Sequence, residues 1–180
     1  MKFELTTIEG LVIIQTNKFN DERGYFFESF HKKKFEDFIG YTVNFVQENE
    51  SQSIKNVVRG LHFQNPPYAQ GKLVRVPFGK VTDIVVDIRK NSPTFGKHFS
   101  IELSDENGFQ LWIPPGFAHG FVSLEDSILS YKCTNYYNKE SESAILWNDI
   151  DLDIDWMVNS PIISEKDQIA TEFSKFVTQF

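Results

Sequence analysis

Histidine is scarce in this chain, and two of its four copies, His62 and His119, interrupt apolar, strand-like runs. His62 lies in Val57-Val58-Arg59-Gly60-Leu61-His62-Phe63-Gln64, and His119 lies in Phe117-Ala118-His119-Gly120-Phe121. An imidazole held in a pocket can take or give a proton near neutral pH. A strand histidine is more often a core ring satisfied by a carbonyl, but polar residues crowd around His62. Arg59 precedes it by three and Gln64 follows it by two. Gln47-Glu48-Asn49 ends the preceding apolar run, and Gln70-Gly71-Lys72 opens the next. Strict alternation puts Arg59 and His62 on opposite faces of one strand, and Gly60 between them permits a bulge that re-aims one. Arg59, Lys72 and Arg23 are residue types that suit a diphosphate, with forked contacts from arginine and a mobile charge from lysine. The same cations suit surface salt bridges of little energetic worth. Tyr131 carries a phenol whose usual pKa of about 10 keeps its proton available for donation. A buried tyrosine with a bonded hydroxyl is the plainer alternative.

Other chemistries find less support. Cys133 is the one cysteine, so no internal disulfide forms, and no histidine stands near it in sequence to activate it. No nucleophile elbow and no glycine-rich phosphate loop occurs. Gln64 stands where a His-x-His metal pair would need its second histidine, and His62 with His119 lacks a third ligand. No metal site is expected, and acid–base chemistry remains.

The elements that must position these residues read as strand after strand. Apolar or β-branched runs fall at 12–14, 25–27, 43–47, 57–64, 73–76, 81–89, 98–103, 110–113, 117–122, 128–133 and 144–147. Turn residues separate them, as at Asp21-Glu22-Arg23-Gly24, Asn91-Ser92-Pro93 and Pro114-Pro115-Gly116. Many short strands at such spacing predict an all-β sandwich or barrel. Residues 81–89 carry the clearest period of two: Thr82, Ile84, Val86 and Ile88 share one face, and Asp83, Asp87 and Arg89 the other. Helices are expected at Lys32–Ile39 and Ser164–Phe173, the second with Ser164 as its N-cap and Asp167 three residues on.

A length of 180 residues predicts one domain, 1–180. The net charge of −7 argues against nucleic acid as a partner, although a few local cations can dominate one pocket. No stretch approaches the roughly 20 apolar residues of a membrane span, and no signal-like run opens the chain. A cytoplasmic location is expected, with no membrane partner.

In their order along the chain, these blocks resemble the dTDP-4-dehydrorhamnose 3,5-epimerase family. The resemblance runs through Asp21-Glu22-Arg23-Gly24-Tyr25-Phe26-Phe27-Glu28, Phe45-Val46-Gln47-Glu48-Asn49 and Val58-Arg59-Gly60-Leu61-His62-Phe63-Gln64. It continues through Gln70-Gly71-Lys72, Gly116-Phe117-Ala118-His119-Gly120-Phe121, Tyr131-Lys132 and Ser164-Glu165-Lys166-Asp167. It implies a double-stranded β-helix jelly roll, cupin-like, with short helices, acting as a homodimer without cofactor or metal on a dTDP-sugar substrate. By the same resemblance His62 is the base, Asp167 the carboxylate that orients it, Lys72 the cation beside the sugar ketone and Tyr131 the acid. Arg23, Glu28, Gln47, Asn49, Arg59, Lys72, His119, Glu142 and Lys166 fall where the family contacts the nucleotide sugar, and Tyr137 where a ring stacks on thymine. The expected reaction inverts C3 and C5 of dTDP-4-dehydro-6-deoxy-D-glucose. A related single-site epimerase, acting at C3 or C5, is the alternative.

Overall fold

The computed structural model describes all 180 residues. Fourteen strands run in chain order as β1 (Lys2–Leu5), β2 (Val12–Gln15), β3 (Phe19–Asp21), β4 (Gly24–Phe26), β5 (Gln47–Ser53), β6 (Val57–Gln64) and β7 (Lys72–Phe78). They continue as β8 (Lys80–Asp87), β9 (His98–Ser104), β10 (Phe109–Ile113), β11 (Phe117–Ser123), β12 (Ser127–Cys133), β13 (Glu142–Ala144) and β14 (Ile162–Ile163). Two helices, α1 (Lys32–Ile39) and α2 (Glu165–Gln168), and a 3-10 turn at Phe173–Lys175 complete the set. One six-stranded sheet has the order β1-β2-β10-β7-β12-β5, and the other has β13-β6-β11-β8-β9 with β14 added in parallel to β6. The two sheets face each other as a cupin-like jelly roll, as expected.

Alternation along each strand divides the side chains between three apolar clusters. Val74, Val76, Val81, Val85, Leu111, Phe117, Phe121 and Leu129 point between the sheets and fill one end of the interior. Val58, Leu61, Phe63, Ile84, Val86 and Ile88 point outward from the second sheet, where Leu152, Trp156, Phe173, Phe176 and Phe180 of the C-terminal segment cover them. Leu73 and Trp112 point outward from the first sheet and meet Phe35 of α1. That helix opens at His31, whose ring accepts from the Lys34 N–H, and stops at Gly40 in the left-handed conformation. With both outer faces covered, the polar face of β8 is turned inward: Asp83 and Asp87 are buried, not solvated.

Three expectations are corrected. The strand placed at 43–47 begins instead at Gln47 and runs to Ser53, while Val43 packs in coil against the α1 cluster. Its polar sequence concealed it, because Gln47, Asn49 and Ser51 face the open, polar end of the interior and the residues between them face out. The helix placed at 164–173 keeps its Ser164 cap but ends at Gln168. Beyond it the chain leaves helical geometry, and Thr171 makes an isolated parallel bridge to Ile145, just past the end of β13. The run at 144–147 pairs earlier, at Glu142–Ala144.

The decisive irregularity lies in β6. His62 pairs with His119 and Arg59 pairs with Phe121, so Gly60 and Leu61 together oppose Gly120 alone. This bulge flips the alternation and returns Arg59 and His62 to one face. Gly60 holds φ +138, and a Cβ there would lie 2.6 Å from Cα of Gly120. A Cβ on Gly120 would meet the Arg59 carbonyl oxygen at 2.6 Å. Gly60→Ala and Gly120→Ala should each cost about 1–3 kcal/mol in chemical denaturation. An unfolding midpoint equal to that of the wild type would show that the bulge does not need both glycines.

Candidate active site

The open end of the interior is a cleft of two adjoining lobes, with empty volumes of ≈ 480 and ≈ 530 Å³. His62, Lys72 and Tyr131 line both. His62 comes from the second sheet, and Lys72 and Tyr131 come from the first, so the three stand on facing walls. One lobe adds Gln47, Asn49, Gln64, Gln70, Tyr137 and Glu142. The other adds Ser51, Arg59 and His119.

His62 is bonded through Nε2 to Oδ1 of Asp167 at 2.6 Å. Asp167 is 2% exposed and sits in the first turn of α2, where the backbone N–H of Asp167 donates to the Ser164 cap. The Gly60 N–H approaches its second oxygen at 3.5 Å, so the bulge also supports the carboxylate. Burial works against the Asp167 charge, but its hydrogen bonds from His62, Gly60 and Ser164 prevail and hold it below the ordinary carboxylate range. With Nε2 committed to Asp167, Nδ1 is the nitrogen of His62 left for a substrate proton.

Lys72 Nζ lies 3.4 Å from the His62 carbonyl oxygen and 5.9 Å from the Tyr131 ring centre. Burial pushes its ammonium pKa down, and the charges of Cys133, Asp83 and Glu142 oppose that effect. Burial pushes the Tyr131 phenol up, which holds it protonated at neutral pH. Cys133 is buried, its thiol raised by burial, and its Sγ receives the Asn49 amide at 3.7 Å. Arg59 is aimed by bonds to Ser53 Oγ and the Gln52 carbonyl, both 3.0 Å.

The mouth is a short polar chain. Tyr137 donates its hydroxyl to Glu142 at 3.0 Å, and Lys166 reaches the other Glu142 oxygen at 2.6 Å. Gln47 accepts the Tyr137 backbone N–H, and Gln64 accepts that of Asn138. Glu142 is held below its usual pKa by Lys166 and Tyr137 against the contrary effect of burial. Arg23 and Glu28 stand elsewhere. Arg23 has a side chain 84% exposed on the β3–β4 hairpin and pairs with Asp21, and Glu28 pairs with Lys34. Neither lines the cleft of its own chain.

The family model described as dTDP-4-dehydrorhamnose 3,5-epimerase matches residues 5–175. The chain belongs to the dTDP-4-dehydrorhamnose 3,5-epimerase family. The family member from Shigella flexneri is 53% identical over 163 residues, covering 90% of each chain. A solved 3,5-epimerase from Legionella pneumophila, in complex with dTDP-4-keto-L-rhamnose, has a TM-score of 0.94 at 46% identity, covering 98% of this chain and 94% of that one. A more distant structure of the same fold is a 3'-monoepimerase from Streptomyces bikiniensis in complex with dTDP-quinovose. Its TM-score is 0.89 at 29% identity, covering 94% of this chain and 86% of that one.

Sequence reasoning overlooked two contributors. Asp83 read only as the polar side of a strand, and its bond to His119 joins residues 36 apart in sequence. Ser51 lies in the strand concealed by its polarity.

The Asp167 shift has a pH consequence. A carboxyl held below its unfolded pKa contributes stability that is present above that pKa and lost as pH falls through the folded value. Asp167→Asn should therefore be less stable than wild type at neutral pH, and the gap should close as pH falls below about 4. A gap constant from neutral to acid pH would show that the charge of Asp167 contributes nothing to folding.

Proposed function

We propose that the chain inverts C3 and C5 of dTDP-4-dehydro-6-deoxy-D-glucose through enolate intermediates. The observation that carries this reading is a base with its own carboxylate, His62–Asp167, standing across a cleft from a protonated phenol, with the half-buried Lys72 ammonium in the same cleft. The hydrogens at C3 and C5 both flank the C4 ketone, so removing either leaves charge largely on O4. His62 Nδ1 takes the proton, and Asp167 stabilises the resulting imidazolium. Lys72 meets the charge on O4 in a site where burial strengthens the interaction. Inversion needs a proton delivered to the opposite face, and Tyr131 on the facing wall gives it. Arg59 and His119 hold the diphosphate in the second lobe, which fixes the ring against the base. Tyr137 stacks on the thymine at the mouth, and Gln47, Asn49, Glu142 and Lys166 complete the contacts. Identity to the 3,5-epimerases, 53% and 46% against 29% for the monoepimerase, favours action at both carbons.

The working unit is a homodimer. Arg23 and Glu28 match substrate-contacting positions yet lie outside their own cleft. Phe19, Tyr25 and Phe26 on the same hairpin are exposed, as an element waiting for a partner would be. Arg23 and Glu28 therefore serve the cleft of the second copy.

His62→Asn should lower turnover by about 10²–10⁴ while dTDP binding, read by calorimetry, stays within a few-fold. A variant that keeps most of its rate would remove His62 as the base. Tyr131→Phe should slow product formation far more than deuterium wash-in, whereas equal loss of both would argue against an acid-only role. Mixing the inactive His62→Asn and Arg23→Ala proteins should restore roughly a quarter of the sites, because one cleft of each mixed dimer then carries neither change. No recovery on mixing would place Arg23 in its own chain's site or outside any site.

A further inference from the structure

A second histidine–aspartate pair stands beside the first. His119 and His62 are direct partners in the β11–β6 ladder, and both line the cleft. Each gives its Nε2 to a carboxylate: His62 to Asp167 on α2, His119 to Asp83 on β8 at 2.8 Å. The two carboxylates differ in their support. Asp167 has further bonds from its surroundings, whereas Asp83 is 0% exposed and its Oδ1 has no partner. A buried carboxylate with one oxygen unbonded costs stability that an apolar residue between Val81 and Val85 would not. Folding gives no reason to keep it there.

We propose that Asp83 is a positioning residue of the reaction, holding His119 through Nε2 and placing a buried negative charge directly behind the lobe that His119 shares with Lys72. The inference rests on the epimerase reading above. Bonding at Nε2 fixes the proton on that nitrogen and leaves Nδ1 of His119 for the substrate. Lys72 must carry a full positive charge to meet the enolate, and burial works against it. The lobes it lines also hold Tyr131 and His62, with Glu142 and Tyr137 in one and Arg59 and His119 in the other; Cys133 adjoins it on β12, and Asp83 of β8 stands behind the bonded His119. Cys133 is pushed toward its neutral thiol and Glu142 is already paired with Lys166. Asp83 is the anion left to serve Lys72 from within the barrel.

Asp83→Asn keeps the shape and removes the charge. The alkaline limb of the pH profile, read from deuterium wash-in so that Tyr131 is not required as acid, should move about one unit to lower pH. The rate at neutral pH should fall several-fold. ¹⁵N spectra should show Nε2 of His119 protonated in the wild type and a mixture of tautomers in the variant. Thermal melting with and without dTDP checks that the variant is folded, and Asp83→Glu should recover part of the limb position. An unmoved alkaline limb, or an unchanged His119 spectrum, overturns the proposal. Wild-type protein without wash-in overturns the epimerase reading itself, a result separable from failure at Asp83 because the His119 spectra need no substrate.

Discussion

The contact between Gly60 and Gly120 is the constraint on which the cleft depends. Two strands approach there so closely that neither position admits a Cβ. The approach lets β6 carry one extra residue, and that residue reverses the parity of everything before it. Val58 and Leu61 can then both face the outer apolar cluster while Arg59 and His62 both face the cleft. The same bulge turns the Gly60 N–H toward Asp167. One backbone irregularity thus aligns Arg59, His62 and the Asp167 carboxylate that holds His62.

Around that point the interior divides by chemistry. One end is closed with aliphatic and aromatic side chains from both sheets, and the other is kept polar. The chain is acidic overall, at −7, yet the cleft gathers Arg59, Lys72 and two histidines. Buried carboxylates stand behind both histidines and fix the orientation of their rings. Arg59 and Lys72 offer an anionic ligand two fixed cations there, and the histidine–carboxylate pairs are oriented before any ligand arrives.

The architecture was legible where side chains alternate strongly, as in residues 81–89, and where turn residues punctuate them. The polar strand at Gln47–Ser53 escapes a reading by β propensity, which assumes an apolar inner face, because this strand faces the polar cleft instead. The stretch after Gln168 read as helix because the Ser164 cap was a true start signal with no strong stop behind it. His62, Lys72 and Tyr131 were legible as chemistry, but alternation alone set Arg59 against His62, and Gly60 was the only hint of the correction. Asp83 and Asp167 became partners of the histidines only through tertiary contact, which no local spacing reveals. The position of Arg23 and Glu28 outside their own cleft was likewise invisible in the sequence, because it depends on where the hairpin projects.

The most direct test of the central claim is an NMR time course of the wild-type protein with dTDP-4-keto-6-deoxyglucose in heavy water. Deuterium entering at both C3 and C5, with the doubly inverted product trapped by a reductase, is the expected result. Deuterium at one carbon only would contradict inversion at both centres, and no incorporation at either would contradict enolate chemistry in this cleft.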